Sequence, residues 1–211
     1  MRQESHPDPL DPLRPLRTFV AGMTRLVERT DAEPELLAGA RPLLAQLLAQ
    51  DAWLPDAFAH AEPGVYRQYL LYCDPFERFA VVSFVWGPGA TTPVHDHCVW
   101  GLVGVLRGAE VCCEFEPDGP DRVKLSTGDH VLRQGMIEAV SPTVGDWHQV
   151  RNARPDTDSV SINVYGGNIG AIKRHRVDPQ SGQILDFISG YSSAMLPNLW
   201  DRSAAVRAGS N

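Results

Sequence analysis

The stretch Pro93-Val94-His95-Asp96-His97 determines how the rest of the sequence is interpreted. Its two histidines stand at positions i and i+2, and on a β-strand such residues project from the same face, because side chains alternate with a period of two. A third histidine from a later strand would complete one face of a metal ion. Three imidazoles leave coordination positions open, which a catalytic metal needs and a closed structural site lacks.

Turn-forming residues surround this histidine pair and recur in a second piece of sequence downstream. Gly89 lies six residues before His95, and Gly108 lies eleven residues after His97. The second piece consists of Gly135, Pro142, Gly145, His148 and Asn152. A bare His-x-His is commonly a chance feature of a half-buried strand, so the surrounding glycines and the second piece give the pattern its weight.

The composition excludes several classes of protein. The chain has 211 residues, enough for one large domain or for a domain with an added helical segment. Its net charge of −7 argues against nucleic-acid binding, and no apolar run is long enough for a membrane span or a secretory signal. We expect a cytoplasmic protein, because four cysteines without Cys-x-x-Cys spacing are typical of a reducing compartment: Cys73, Cys98, Cys112 and Cys113.

The first third of the chain is predicted to be helical. Apolar residues recur at helical spacing in the first of two predicted helices: Leu16, Phe19, Val20, Met23 and Val27. A second helix is predicted from Glu33, with a kink or restart at Pro42. We expect flexible tails at 1–10 and 201–211 and N-terminal helices within 11–62. Periodicity leaves open whether these helices cover the barrel of residues 63–200 or form a partner interface.

From about residue 65 the pattern is that of β-structure for roughly a hundred residues, with turn residues every 8 to 12 positions. Strands are predicted at 66–73, 79–86, 94–106, 109–116, 123–125, 129–133, 148–152 and 160–165. Many short strands with such spacing predict a mainly β fold, a barrel of the jelly-roll type with an N-terminal helical segment.

The two histidine-containing pieces resemble the two motifs of the cupin superfamily. Gly101 stands where most cupins carry a glutamate ligand, and the second motif has one extra residue on each side of Pro142. Without that glutamate the ligands are three neutral imidazoles. A divalent ion then keeps its full charge and favours an anionic ligand such as a thiolate.

The absence of the glutamate ligand resembles the pattern of the thiol dioxygenases, of which cysteine dioxygenase is the best-known member. The resemblance covers about residues 66–200 and is strongest in 93–101 (PVHDHCVWG) and 161–171 (SINVYGGNIGA). In that family three histidines hold Fe(II), and the matching positions are His95, His97 and His148. The resemblance implies that both oxygen atoms of O₂ end on the substrate sulfur as a sulfinate. Thiolate ligation and O₂ chemistry suit iron with open coordination positions.

The resemblance also implies a substrate class. Cysteine-specific members carry an arginine on the first strand, where this chain has Gln68. A glutamine there is similar to the bacterial 3-mercaptopropionate dioxygenases, whose carboxylate-binding arginine matches Arg174. A guanidinium suits a carboxylate because two parallel N–H···O hydrogen bonds can form between them. Lys173 or Arg176 could serve instead if the register differs, and the alternative for Arg174 is a surface charge at a strand end.

A second implied group is a Ser-x-His-x-Tyr series that orients the tyrosine hydroxyl. Ser161, Asn163 and Tyr165 match it, but Asn163 cannot act as an acid or a base. Asparagine can still bridge a serine and a tyrosine hydroxyl, so positioning is expected to survive. Gly101 stands where mammalian-type members carry a cysteine bonded to the tyrosine, so no such bond is expected here.

The remaining polar residues receive structural interpretations. By strand alternation Asp96 and Cys98 are expected to point away from the metal, with Asp96 as a structural carboxylate and Cys98 as a small buried residue. Four histidines are taken as surface or structural residues without partners at ligand spacing: His6, His60, His130 and His175. Cys112 and Cys113 are expected to be buried.

The sequence thus predicts an iron-dependent thiol dioxygenase that converts a small mercaptocarboxylic acid, resembling 3-mercaptopropionate, to a sulfinic acid. Its expected partners are the thiol and O₂, without nucleic acid or membrane, in a monomer or weak homo-oligomer. Cysteine or mercaptosuccinate is the alternative substrate. A non-catalytic ligand-binding cupin and a zinc hydrolase on the same histidines are the alternatives from other classes.

Overall fold

The computed structural model describes residues 11–119 and 122–201, together with residues 203 and 207. The predicted tail at 1–10 and most of the predicted tail at 201–211 lie outside the described residues. Helices α1 (Arg14–Arg29) and α2 (Glu33–Leu48) and a short 3-10 helix (Asp56–Phe58) come first. The described strands follow: β1 (Tyr66–Cys73), β2 (Ala80–Trp86), β3 (Gly101–Arg107), β4 (Ala109–Pro117), β5 (Val123–Leu125), β6 (His130–Arg133), β7 (Ile137–Val140), β8 (Trp147–Asn152), β9 (Ser159–Tyr165), β10 (Arg174–Val177) and β11 (Ile184–Phe187).

Antiparallel sheets form the body of the protein. One sheet has the strand order β1-β2-β9-β3-β7. In the other, β4 pairs with β5, β6 and β8, and β10 and β11 form a separate hairpin. The inward faces of the two larger sheets share one apolar cluster, to which β2 and β3 contribute Val82 and Val105 and β4 contributes Cys112. The prediction of a mainly β jelly-roll barrel with an N-terminal helical segment is confirmed.

The two helices pack on the outer face of the five-stranded sheet. Buried side chains of α1 and α2 share one cluster with outward-facing residues of β2, β3 and β9. Gly104 on β3 allows the close approach, since a Cβ there would lie 2.6 Å from Cδ1 of Leu48 and 3.1 Å from Cδ2 of Leu44. Helix α2 continues through Pro42, so the proline does not restart it. No helix among the described residues is both long and apolar enough to cross a membrane.

The predicted strand at 94–106 is wrong in its first half. Strand β3 begins at Gly101, and the preceding segment is a loop in which His95 makes isolated bridges to His148 and Arg176. Cys98 interrupts the extended backbone, because its φ of 59° lies in the left-handed region. The short strands β7, β10 and β11 were not predicted from the sequence.

Candidate active site

Three histidines converge inside one end of the barrel. The backbone N–H of His95 donates to the carbonyl of His148 and the reverse bond is equally long, both at 3.0 Å, which fixes the loop to β8. The ring centroids lie 5.1 Å apart for His95 and His97 and 4.8 Å apart for each pair that includes His148. One ring nitrogen from each histidine lies within 4.8 Å of the others. The three residues predicted from sequence therefore lie close enough together that they could hold one metal ion.

Each of these imidazoles has a separate partner at Nδ1. Nδ1 of His95 lies 3.1 Å from the carbonyl oxygen of Pro93, Nδ1 of His97 lies 2.8 Å from Oδ1 of Asp146, and Nδ1 of His148 lies 3.5 Å from Sγ of Cys112. A neutral imidazole that donates from Nδ1 keeps a lone pair on Nε2. Such outer partners orient metal-binding histidines. The donor set fits a divalent transition metal with three nitrogen ligands.

The electrostatic surroundings keep two of the ligands neutral. Burial and the nearby His97 and Arg174 lower the pKa of His95 to about 3. Burial also lowers the pKa of His148 well below its usual value, with His97 and His95 adding to the effect. A neutral imidazole is the form that binds a metal, so these two side chains need not lose a proton first.

Asp146 is a residue of the site that was not predicted from the sequence. Besides the ring of His97, it accepts the backbone N–H groups of His97 and Cys98, each at 2.9 Å. Burial raises the pKa of Asp146, but the bonds from His97 and from these N–H groups outweigh it, so the pKa is lowered overall. Its position two residues before His148 was the available signal, but its partner His97 lies 49 residues away in the chain.

Tyr165 lies against the metal ligands. Its ring stacks on His97 with centroids 5.4 Å apart and an interplanar angle of 17°. Nδ2 of Asn163 donates to the Tyr165 hydroxyl oxygen at 3.1 Å, so the hydroxyl proton remains available to another acceptor. Burial raises the pKa of Tyr165 to about 12. A Cβ at Gly101 would lie 2.7 Å from Cδ1 of Tyr165, so this position faces the tyrosine and has no room for a side chain.

Ser161 shares the inward face of β9 with these residues but contacts a different partner. The indole N–H of Trp86 donates to Oγ of Ser161 at 3.4 Å. Within the described residues no hydrogen bond joins Ser161 to Asn163, and Oδ1 of Asn163 is buried without a partner. The structure thus brings Ser161, Asn163 and Tyr165 onto one face, but a hydrogen bond joins only Asn163 and Tyr165.

A cavity of about 270 Å³ opens beside His95. Arg174 lines it and is only 3 % exposed, so the surface-charge alternative is wrong. Its guanidinium donates to the Asp96 carbonyl at 3.3 Å and to Oγ of Ser189 at 2.8 Å, and it lies 4.6 Å from the Phe187 ring centroid. Nε has no partner among the described residues. Since a guanidinium has five N–H groups, several remain free for a ligand.

The other residues considered for substrate binding differ in position. Gln68 is buried and lines the same cavity, with its amide N–H bonded to the Gly190 carbonyl. Arg176 also lines the cavity, and its side chain makes no hydrogen bond or ion pair with a described residue. Lys173 is exposed and pairs with Asp186. The chain therefore presents two arginines, and no lysine, to the cavity among the described residues.

Two interpretations of neighbouring residues need correction. Asp96 points away from the ligands as expected, accepting the backbone N–H and Nδ1 of His175, both at 2.7 Å. Cys98, however, is exposed rather than buried, because its left-handed backbone leaves the strand alternation. His175 and His130 do have neighbours at ligand spacing, in the groups Asp96–Cys98–His175 and Cys112–His130–Glu138. Cys112 and Cys113 are buried as expected.

Comparisons with known proteins give likenesses at the level of the barrel. No model of a known protein family matches the chain. A double-stranded β-helix protein from Klebsiella pneumoniae subsp. pneumoniae is 20% identical, with a TM-score of 0.42 over 55% of this chain and 89% of that one. An RmlC-like cupin from Methanocaldococcus jannaschii is 13% identical, with a TM-score of 0.39 over 52% and 87%. Oxalate oxidase with glycolate is 15% identical, with a TM-score of 0.40 over 52% and 55%.

Proposed function

We propose that this protein is an Fe(II)-dependent thiol dioxygenase acting on a small mercaptocarboxylic acid. The thiolate sulfur takes both atoms of O₂ and becomes a sulfinate. The sulfur loses four electrons and O₂ gains them, so the reaction needs no external reductant. One observation carries the proposal: three imidazoles without an acidic ligand converge beside a cavity that contains a buried arginine.

His95, His97 and His148 are the residues that would hold the metal. Fe(II) bound there supplies open positions for a thiolate and for O₂. Asp146 fixes the His97 ring, and Pro93 fixes the His95 ring. These contacts hold the ligand nitrogens in place before metal or substrate arrives, which reduces the reorganisation needed during the reaction.

Arg174 binds the substrate carboxylate in this proposal. Its bonds to the Asp96 carbonyl and Ser189 hold the guanidinium in one orientation, while its unpartnered Nε faces a buried environment. A carboxylate would satisfy that group and neutralise the buried charge. Gln68 holds the segment at Gly190 beside the same cavity, so it shapes the pocket around the substrate.

Tyr165 orients the reacting groups. Its hydroxyl accepts a hydrogen bond from Asn163, so its own proton is free to be donated to a substrate bound beside the three histidines. With a pKa raised to about 12, it stays protonated at neutral pH and acts as a donor. Asn163 therefore serves as a positioning residue without exchanging a proton.

The cavity favours a second carboxylate over an amino group. Arg176 adds a second guanidinium to the cavity lining, which suits a dicarboxylic thiol such as mercaptosuccinate. No aspartate or glutamate is among the described residues that line this cavity. The ammonium group of cysteine would therefore lack an anionic partner. A zinc hydrolase would likewise lack a carboxylate base there.

The test is oxygen uptake by protein loaded anaerobically with Fe(II), with the sulfinate quantified. The substrates are 3-mercaptopropionate, mercaptosuccinate and cysteine, and uptake should match sulfinate one-to-one for a mercapto acid. Arg174→Gln should raise KM by about tenfold to a hundredfold, the range for a hydrogen-bonded charge. Lys173→Gln is the matched control, because this neighbouring cation is exposed. Metal binding without uptake for any thiol would favour the ligand-binding cupin.

A further inference from the structure

Glu110 on β4 is a buried carboxyl group that the proposed reaction does not use. Its side chain is completely inaccessible, and neither carboxylate oxygen has a hydrogen-bond partner among the described residues. It shares a strand face with Cys112, which belongs to the apolar cluster inside the barrel. Glu110 therefore points into the same interior as the candidate active site.

The groups around Glu110 place it near Ser161 on the inward face of β9, a region that we call the inner end. The side chains of Ser161 and Trp86 lie close enough to the carboxyl to offset partly the effect of burial on its pKa, although neither meets hydrogen-bond geometry with its oxygens. Tyr165 and Cys112 lie near enough for Glu110 to raise the pKa of each. The cross-strand neighbours on β6 and β8 are uncharged, Leu132 and Asn152. No described lysine, arginine or histidine contributes to its pKa, so an ionised Glu110 would lack a counter-charge.

Two residues with unpartnered atoms neighbour Ser161. Glu110 lies close to the Ser161 side chain, and Asn163, with its unpartnered Oδ1, is two residues along the same strand face. A serine hydroxyl has one proton to donate and two lone pairs. Ser161 already accepts the Trp86 N–H, so it can accept one further proton and donate its own. A protonated Glu110 supplies the missing donor.

We propose that protonated Glu110 is a positioning residue that completes a hydrogen-bond chain through Ser161 and Asn163 to Tyr165. The Glu110 O–H donates to Ser161, the Ser161 O–H donates to Oδ1 of Asn163, and Nδ2 of Asn163 donates to the Tyr165 oxygen. The Tyr165 proton then points to the substrate. This chain gives partners to Oδ1 of Asn163 and to the protonated oxygen of Glu110, two of the three unpartnered oxygens. It deepens the proposed function and rests on it for its link to catalysis.

Ionisation of Glu110 would reverse the chain. A carboxylate only accepts, so the Ser161 proton would turn to Glu110 and leave Oδ1 of Asn163 without a donor. Burial raises the pKa of the Glu110 carboxyl to about 7, so the neutral form prevails below that pH and the anion above it. The chain is complete on the acidic side of this midpoint.

The bonded chain is tested first without metal or substrate. Isotope-labelled glutamate carboxyl carbons in the full chain are followed by NMR, with Glu110→Gln assigning the signal. We expect a midpoint near 7 that rises further in Ser161→Ala, because that variant loses a contact that lowers the pKa. Glu138→Gln, which changes a partly buried glutamate paired with His130 outside the chain, should leave the midpoint unchanged. An ordinary glutamate midpoint, or no response to Ser161→Ala, would overturn the proposal.

The link to catalysis is tested by the pH profile of kcat. Wild-type kcat should fall as pH rises through the Glu110 midpoint, and Glu110→Gln, a permanently neutral donor, should remove that fall while leaving KM nearly unchanged. Circular dichroism of the variant controls for folding. A fall that persists in Glu110→Gln would overturn the coupling. If no thiol is oxidised at all, the proposed function fails while the NMR test of the chain still gives its answer.

Discussion

The two ends of the barrel interior satisfy their polar groups in different ways. One end, which we call the metal end, carries His95, His97 and His148. Each of these histidines has its own partner at Nδ1, from Pro93, Asp146 and Cys112 respectively. At the inner end, Glu110 and Asn163 leave three buried oxygens without partners. The first end is organised before any ligand binds. The second depends on where one proton resides, so the two should respond to different perturbations.

Removing one of the three histidines should have the largest effect, because it disables the metal end and leaves the inner end intact. In His148→Ala we expect Fe(II) binding to weaken beyond detection and oxygen uptake to fall to background, because two imidazoles remain. Isothermal titration under anaerobic conditions measures the affinity. His60→Ala is the control, since this exposed histidine pairs with Asp158 and does not belong to the group of three histidines. Undiminished iron binding in His148→Ala would show that the metal lies elsewhere.

Glu110 at the inner end should give the stability a contribution that falls as pH rises. The pKa of Glu110 is raised from an ordinary value to about 7, so the folded state binds a proton more tightly than the unfolded chain. The contribution of Glu110 is therefore fully present at low pH and is lost as pH rises through 7, whereas the lowered pKa values of His95, His148 and Asp146 act in the opposite direction. Glu110→Gln should remove about 3 kcal/mol of this loss between pH 4.5 and 8. Urea unfolding across pH measures it, and an unchanged pH slope would contradict the assignment.

A change to an outer partner should weaken the metal end without dismantling it. In Asp146→Asn the His97 ring loses its charged acceptor, and Fe(II) affinity should fall about 10- to 100-fold. Competition with a chelator of known affinity measures the change. Asp186→Asn serves as a control, because Asp186 is exposed. Equal iron affinities in the two variants would mean that Asp146 does not orient the ligand.

The smallest expected effect concerns the second arginine of the cavity. Arg176 is only partly buried, so Arg176→Gln should raise KM about tenfold for a dicarboxylic thiol, as for a partly screened charged contact. KM for 3-mercaptopropionate should change little. The ratio of the two KM values is the measurement. A parallel rise for both thiols would assign Arg176 to the first carboxylate instead.

The sequence predicted the parts of this site that are local in the chain. The His95 and His97 pair follows from spacing, His148 was assigned by resemblance to the second cupin motif, and the shared face of Ser161, Asn163 and Tyr165 follows from alternation along β9. The loop around Cys98 could not be predicted in this way, because a positive φ at a non-glycine residue leaves no pattern in the sequence. Partners that meet only in the fold were also invisible.

Asp146 and Glu110 are two carboxylates whose surroundings form only in the fold. Asp146 and its partner His97 lie in two loops that are 49 residues apart in the chain and meet only in the folded barrel. Glu110 stands among polar and apolar residues of an ordinary alternating strand, and nothing in that strand marks its carboxyl as buried without a partner. Burial and pairing are properties of the assembled barrel, so the sequence predicted the ligands better than the groups that control them.

The most direct test of the central claim is the origin of the oxygen atoms in the product. Protein loaded with Fe(II) is supplied with isotope-labelled O₂ and the preferred mercapto acid, and the sulfinate is analysed by mass spectrometry. We expect the label at both sulfinate oxygens, with none from water. Label at neither position, or a disulfide as the sole product, would contradict a thiol dioxygenase built on His95, His97 and His148.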